Sequence, residues 1–384
     1  MTVLSTGPVA ALSHAVPGLC GCLAVGSLLS TVRGRRLQGP TSIFVALGVG
    51  CGLFRYINYR RGNRKSKLAA WVASVVVFRL CSDAHKHILL SYACVETIAQ
   101  LYAQCRLPWL AEQFGAMVIT ARLVYTNLVH PEWMLPTHLR MMDHQSSLST
   151  SRLQKIRQNL QTSVVTRCES LHPSRTCGAF ATATCLKLVR RSAEIFIPLH
   201  LLSIGYTTLV KKKSIDTTRS TIDFGRSLAF MTASYMLAYS TSCLLPQRDN
   251  IAMIRLTSLT PFLAQYLEPS RRRTAILKAV ACYSLISVFY QVKSWSICRR
   301  ITRRGFLQVA SLVYASFMTY VLQHPEKQNR FLMEYLYGYK METPVQPLPS
   351  SPSSSSLPRR PSSPSPERRS IAAVMPKTLR AQFA

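Results

Sequence analysis

Acidic residues are scarce in this chain of 384 residues, which has 15 Asp and Glu against 47 Lys and Arg. Charged residues make up 16% of the sequence, whereas soluble domains have about 25%. Hydrophobic residues make up 48%. The shortage of carboxylates leaves few candidates for paired-carboxylate catalysis, and the shortage of charge argues against an ordinary soluble domain.

The sequence also lacks the short motifs of common catalytic sites. It contains no Gly-x-Ser-x-Gly, no phosphate loop ending in Gly-Lys-Ser or Gly-Lys-Thr, no His-Glu-x-x-His and no Cys-x-x-Cys. Residues 1–32 contain no Lys or Arg, so the positive regions of secretory and mitochondrial leaders are missing. We expect a protein that is neither secreted nor an enzyme and that needs no cofactor.

Basic residues occur in short runs between apolar stretches, for example at 60–67, 211–213 and 299–304. A nucleic-acid-binding domain instead gathers positive charge on one soluble face among stacking aromatic rings. Short basic runs beside apolar segments are typical of loops that flank membrane spans. We therefore expect membrane lipids as partners, with other organelle membrane proteins as further candidates and no nucleic acid.

The apolar stretches predict membrane helices. A span needs about 20 apolar residues, and its backbone groups must be bonded within the segment. Several stretches are short or carry a charge, so we predict an all-α polytopic membrane bundle of about eight to ten spans. The stretches are residues 9–29, 41–57, 67–81, 88–105, 107–128, 195–210, 227–245, 251–267, 275–292 and 306–322.

Composition divides the chain into four parts. Residues 1–135 form a first membrane half and residues 195–341 a second. Residues 136–194 form a polar, basic connection that contains Cys and His. Residues 342–384 are rich in Pro, Ser and Arg, cannot bury an apolar core, and are predicted to be disordered.

The two halves contain matching pieces in the same order. Residues 39–44 match 225–230, and the triplet His-Pro-Glu at 130–132 recurs at 324–326. We predict an internal duplication, which is common in membrane carriers. Five spans in each half would give the two halves opposite orientations in the membrane.

Small residues recur at a spacing of four in several stretches. Helices in lipid associate through such faces because small side chains let two backbones approach closely. The predicted helix-packing residues are Gly48, Gly52, Ala229, Ala233, Ser234 and Ala238.

Ionisable residues interrupt several apolar stretches, for example Arg79, Glu96, Arg255 and Lys278, and we single out Glu96 and Arg255 as a candidate polar site inside the membrane. A charge inside the membrane is costly and marks a candidate functional group. The alternative is that Glu96 faces a polar interior of the bundle.

A second candidate site lies at the end of an apolar stretch, where Glu268 precedes Arg271 and Arg272. On a helix these residues are three and four positions apart, so Glu268 can pair with either arginine. Together with Arg226 the arginines also form a candidate lipid-headgroup site, because guanidinium groups bind phosphate. A structural ion pair and ordinary anchoring at the membrane surface are the alternatives.

Four residues of the connection, Cys168, His172, Cys177 and Cys185, are of the types that ligate zinc. Their spacing is irregular, so a packed loop with reduced cysteines is the preferred interpretation. We predict no bound metal, with His172 and Cys177 as the candidates if one binds.

Six sequence pieces occur in order along most of the chain, from about residue 39 to residue 338. They are Ile43-Phe44 with Gly48-x-Gly50-x-Gly52-Leu53-Phe54-Arg55, His130-Pro131-Glu132-Trp133 with Leu135-Pro136, Leu171-His172-Pro173 with Cys177, Ile197-Pro198-Leu199-His200-Leu201-Leu202, Gly225-Arg226-Ser227-Leu228-Ala229-Phe230, and Glu268-Pro269-Ser270-Arg271-Arg272. Together they resemble the transmembrane protein 135 family, also called a peroxisomal membrane protein family. The chain departs from that pattern at residues 83–87 and in its Pro/Ser/Arg-rich tail.

The resemblance implies a mitochondrial or peroxisomal integral membrane protein linked to lipid metabolism and organelle dynamics, without catalytic residues. The second half of that family is similar, more remotely, to the mitochondrial inner-membrane import translocases. Two functions stay open: a non-enzymatic protein that handles or senses lipid or supports organelle shape, and a secondary carrier of a lipid or metabolite built from two repeats. An aqueous cavity lined by both halves would favour the carrier. A bundle closed by the packing of small residues would favour the non-enzymatic protein.

Overall fold

The structure is a computed structural model that describes residues 8–34, 39–62, 66–105, 108–162, 165–205, 207–208, 214, 216–247, 249–296, 303–328 and 332–339. The α-helices in these ranges are α1 (Pro8–Gly34), α2 (Ser42–Arg60), α3 (Lys67–Leu80), α4 (Asp83–Cys105), α5 (Trp109–Val129), α6 (Pro136–Gln145), α7 (Thr150–Thr162), α8 (Arg167–Leu171), α9 (Cys177–Gly205), α10 (Thr217–Leu244), α11 (Asn250–Leu259), α12 (Ser270–Ser294) and α13 (Arg303–Gln323). Short 3-10 helices cover Pro131–Trp133, Thr260–Leu267 and Pro325–Lys327, and a π-helical turn covers Leu332–Leu336. These ranges contain no β-strand, so the all-α prediction is confirmed.

Four of the described helices, α1, α2, α12 and α13, are long and apolar enough to cross a membrane. Large apolar side chains stand on their outer faces, such as Leu28, which is 63% exposed, and Val309, which is 61% exposed. Hydrocarbon covers such faces in a bilayer. The four helices therefore have the length and the apolar surface of membrane spans, as in an integral membrane protein.

Other predicted spans fall short of this criterion. Helix α3 has 14 residues, so it extends for about 21 Å, against a hydrocarbon core of about 30 Å. Helix α11 has 10 residues and is shorter still. The count of eight to ten spans stays a prediction.

The described residues between 8 and 339 belong to one compact unit, which contains parts of both predicted halves and of the connection. Helix α9 begins at Cys177, well before the predicted start of the second half at residue 195, because the polar segment before that position continues the same helix. The tail at 342–384, predicted to be disordered, lies outside the described residues.

The packing of the helices follows the same order in the two halves. Helix α1 contacts α2 and α2 contacts α3, while α9 contacts α10 and α10 contacts α11 with its following 3-10 helix. The last helix of each half packs on the other half, α5 against α11 and α13 against α3, and α4 contacts α12. Two interlocked repeats would give this arrangement.

Close backbone approach at glycine holds α2 between its neighbours. A Cβ atom at Gly50 would clash with Cγ2 of Val77 in α3. A Cβ atom at Gly48 would lie 3.1 Å from the carbonyl oxygen of Leu19, and one at Gly52 would lie 3.5 Å from that of Ala15. Both carbonyls belong to α1, so Gly48 and Gly52 lie where α1 and α2 approach each other closely.

Candidate functional site

A cavity of about 560 Å³ lies between helices of both halves and the connection. Helix α5 contributes one wall, α6 to α8 another, and α9 to α12 the rest. This volume falls within the range of ligand pockets, about 300–1,000 Å³. Its apolar lining includes Leu123, Leu160, Phe196, Met231, Ile254 and Leu277.

Two tyrosines of α10 show how polar atoms are removed from this lining. The Tyr239 hydroxyl donates to the carbonyl oxygen of Ser146 at 2.8 Å. The Tyr235 hydroxyl lies 3.3 Å from Oε1 of Gln145. Both hydroxyls are bonded to the connection, so the rings present apolar faces to the cavity.

The predicted packing stripe of α10 lies partly at this cavity. Ser234 and Ala238 line it, whereas Ala229 is exposed and Ala233 is half-buried. The small residues of α10 therefore leave room for the cavity, rather than only bringing two helices together.

Arg273 lines both the apolar cavity and an open depression of about 680 Å³ beside it. Its Nε donates to the carbonyl oxygen of Gln265 at 3.1 Å, and its guanidinium lies 5.2 Å from the ring centroid of Tyr266. These contacts fix the guanidinium with neutral groups, so its positive charge stays available to an anion.

Two further arginines, Arg219 and Arg226, line the same depression, and Nε of Arg226 donates to the carbonyl oxygen of Leu267 at 2.8 Å. Asp216 and Asp223 also lie there. The Asp216 carboxylate accepts from the backbone N–H of Arg219 and caps α10. Three guanidinium groups against two carboxylates give the depression a basic character.

Glu268 and Arg272 form a separate clamp between α10 and α12. Glu268 is 1% exposed, and its Oε1 accepts from Ser227 Oγ at 3.0 Å and lies 3.3 Å from Nε of Arg272. Arg272 also donates to Ser227 Oγ at 2.9 Å. Of the predicted headgroup residues, Glu268 and Arg272 therefore pair with each other. Arg226 lies in the basic depression, and the side chain of Arg271 lies outside the described part of the chain.

The intramembrane candidates Glu96 and Arg255 have different partners. Glu96 is 5% exposed and its Oε2 lies 2.7 Å from Nζ of Lys278, which joins α4 to α12. Arg255 is exposed, and its guanidinium lies 5.6 Å from the ring centroid of Tyr125. The two residues therefore do not form one site, and the partner that the sequence interpretation missed is Lys278.

Three cysteines and a histidine converge at the edge of the cavity. The sulfurs of Cys168, Cys177 and Cys243 and a ring nitrogen of His172 all lie within 4.8 Å of one another. Cys185, which the sequence grouped with them, is not in this cluster, and Cys243 at the end of α10 takes its place. Cys243 follows Cys177 by more than sixty residues inside an apolar stretch, so no local spacing points to it.

The connection is clamped to the end of α10, and this contact brings the cluster together. Buried Arg167 donates to the carbonyl oxygen of Leu245 at 3.1 Å and to Oδ1 of Asn250 at 3.3 Å. The backbone N–H of Cys168 donates to Oε1 of Gln247 at 3.2 Å. Burial raises the pKa of the Cys168 thiol, so without a bound cation this sulfur keeps its proton at neutral pH.

Comparison of the chain with protein-family models, with curated proteins and with solved structures finds no match. The function is therefore argued from the cavity, the basic depression and the side chains around them.

Proposed function

We propose that the protein is a non-enzymatic integral membrane protein that binds an anionic amphiphile. The hydrocarbon part of this ligand occupies the apolar cavity, and the acidic head of the ligand lies in the basic depression. The observation that carries this proposal is the position of Arg273, which lines both spaces. The resemblance noted from the sequence adds a mitochondrial or peroxisomal membrane and a role in lipid metabolism and organelle dynamics.

The character of the cavity supports a lipid ligand over a hydrated metabolite. Residues from both halves line it, such as Leu123 and Leu277, but the lining is apolar, not aqueous. An apolar lining offers a hydrocarbon chain a favourable surface and offers a hydrated metabolite few hydrogen bonds. A lipid ligand therefore fits better than a polar one.

Binding of radiolabelled palmitate to the purified full-length protein tests this proposal. We expect Arg273→Gln to weaken palmitate binding about tenfold or more, since a hydrogen bond to a charged group contributes about 1.5–3 kcal/mol. The same change should leave binding of the neutral analogue hexadecanol nearly unaltered. Arg255→Gln removes another arginine that lies outside the depression and is the matched control.

The apolar part is tested on α10. Ala238→Trp places a large ring in the cavity and should abolish binding of both probes, whereas Ala229→Trp on the exposed face of the same helix should not. Equal binding by the wild type and Ala238→Trp would refute the cavity as the binding site.

A secondary carrier of the same amphiphile is the second candidate, and the two His-Pro-Glu turns favour it. Each turn follows the last helix of a half and forms a 3-10 helix. In each, Nδ1 of the histidine lies near Oε1 of the glutamate, at 3.0 Å for His130 and Glu132 and at 3.3 Å for His324 and Glu326. Two repeats of opposite orientation are typical of carriers.

Inserted protease sites beside the two turns test this alternative in sealed organelles. Inverted repeats of five spans place the turns on opposite sides of the membrane, so an added protease should cut at one of the two sites. Cleavage at both or at neither would rule out inverted repeats. Movement of palmitate across the membrane of proteoliposomes would distinguish a carrier from a protein that only binds. This movement should be lost with Ala238→Trp.

A further inference from the structure

We propose that Cys168, His172, Cys177 and Cys243 bind one zinc ion as a structural site. Three thiolates and one imidazole in tetrahedral geometry form a common set of structural zinc ligands. All four donor atoms already lie within 4.8 Å of one another. The assignment of this site does not rest on the proposed amphiphile binding.

Two nitrogen–sulfur distances match those around a tetrahedral ion. Zn–S bonds of about 2.3 Å and Zn–N bonds of about 2.0–2.1 Å place sulfur and nitrogen about 3.6 Å apart. Nε2 of His172 lies 3.4 Å from Sγ of Cys177 and 3.4 Å from Sγ of Cys243. No two of the four donor atoms are more than 4.8 Å apart, against about 3.8 Å for two sulfurs on a tetrahedral zinc ion, so shifts of up to about 1 Å would accommodate the ion.

The second ring nitrogen of His172 fixes the tautomer that a metal needs. Nδ1 lies 3.0 Å from the carbonyl oxygen of Arg175, and a carbonyl only accepts hydrogen bonds, so Nδ1 carries the proton. In the neutral ring, Nε2 then presents its lone pair toward the cysteine sulfurs. Histidine ligands of zinc are commonly oriented by such a bond from the other nitrogen.

The charge around the cluster also suits a metal thiolate. Zn²⁺ with three thiolates and a neutral imidazole has a net single negative charge, and the thiol protons leave to solvent as the Zn–S bonds form. The guanidinium of Arg167 is 3% exposed and close enough to Cys168 and Cys243 to interact electrostatically with both. A buried cation beside the site offsets the negative charge of the complex.

The position of the cluster indicates what the zinc holds together. Cys168 and His172 lie at the two ends of α8, Cys177 starts α9, and Cys243 lies in the last turn of α10. Arg167 and Leu171 of the same segment line the apolar cavity. Zinc would therefore fasten the wall that the connection contributes to the cavity.

Cysteine pairing is the competing arrangement, because two of the three sulfurs could instead be joined in a disulfide. A disulfide would leave the third cysteine and His172 without a shared partner, whereas zinc engages all four. Peptide mapping under non-reducing conditions separates the two arrangements.

The first test is the metal content of the full-length protein, purified in detergent with reductant and measured by plasma mass spectrometry. We expect about one zinc per chain in the wild type and in Cys185→Ser, the matched control whose sulfur lies outside the cluster. Cys243→Ser and His172→Ala should lose most of the zinc. Unchanged zinc in both cluster variants would refute the site.

A second test needs no substitution, so it does not depend on whether a variant that lacks a ligand folds. Maleimide should label Cys177, which is exposed, slowly in the purified wild type and rapidly after a chelator is added. Labelling of Cys185 should not respond to the chelator. A folded wild-type protein that contains no zinc and takes up no added Zn²⁺ or Co²⁺ would overturn the proposal. A disulfide between two of the three cysteines would overturn it as well.

Discussion

The Glu96 carboxylate and the Lys278 ammonium lie 2.7 Å apart and join α4 to α12. Glu96 belongs to the first half of the chain and Lys278 to the second, so this ion pair connects the two halves. Nε2 of Gln328 lies 3.5 Å from the same carboxylate oxygen. In an apolar bundle each charge makes the presence of the other tolerable.

Removing one member of this pair should be worse than removing both. Lys278→Met leaves the Glu96 carboxylate buried without its cation, and we expect a loss of about 3 kcal/mol in the free energy of unfolding. The double variant with Glu96→Gln should recover much of that loss. Thermal unfolding of the four proteins in detergent gives the coupling free energy, and additive effects of the two changes would show that the pair does not stabilise the bundle.

Glycine substitutions distinguish close helix contact from simple helix propensity. Gly50→Ala places a methyl group against Val77, so we expect destabilisation by about 1–3 kcal/mol. Gly115→Ala in α5 meets no atom within 4 Å and should stabilise the protein by up to about 1 kcal/mol. Melting temperatures that move in the same direction for both variants would contradict the contact between α2 and α3.

Acidification should destabilise the protein through His138 in α6. Burial of this ring, which packs 4.3 Å from the ring centroid of Tyr283, lowers its pKa below the ordinary value. The unfolded chain therefore binds a proton at a higher pH than the folded chain. Stability from the neutral ring is present above the unfolded pKa and is lost as pH falls below it, through the folded pKa.

The measurement for His138 is the melting temperature between neutral and mildly acidic pH. His138→Gln cannot gain a proton, so its melting temperature should fall less on acidification than that of the wild type. His144→Gln, in the last turn of the same helix, is the control. Parallel curves for the wild type and His138→Gln would exclude this histidine as a source of the pH dependence.

Much of the fold follows from apolar stretches and basic runs, because helices in lipid must satisfy their own backbone. The sequence predicts less of the candidate sites, because the partners of their residues are distant in the chain. Cys243 and Lys278 were both visible in the sequence, but nothing local connects them with Cys177 or Glu96. Their partners depend on which helices contact each other, and that information comes from tertiary packing.

Arg55 connects three separate parts of the structure. Its Nε donates to the carbonyl oxygen of His14 in α1 at 2.6 Å, and its Nη1 donates to that of Tyr335 in the π-helical turn at 2.8 Å. Gly338, at φ of 73°, lies against the guanidinium, where a Cβ atom would be 3.0 Å from Cζ. The Arg55 side chain, which belongs to α2, therefore holds the segment 332–339 against α1.

Arg55→Met keeps an unbranched apolar stem but removes both donors. Because hydrogen bonds from a charged group contribute about 1.5–3 kcal/mol each, we expect the segment 332–339 to detach while the remaining helices stay folded. Hydrogen–deuterium exchange should rise in 332–339 and stay unchanged in α4. Arg79→Met, at an exposed arginine of α3, should leave exchange in 332–339 as in the wild type. Equal protection of this segment in the wild type and Arg55→Met would show that apolar packing around Met333 and Tyr339, and not the arginine, holds it in place.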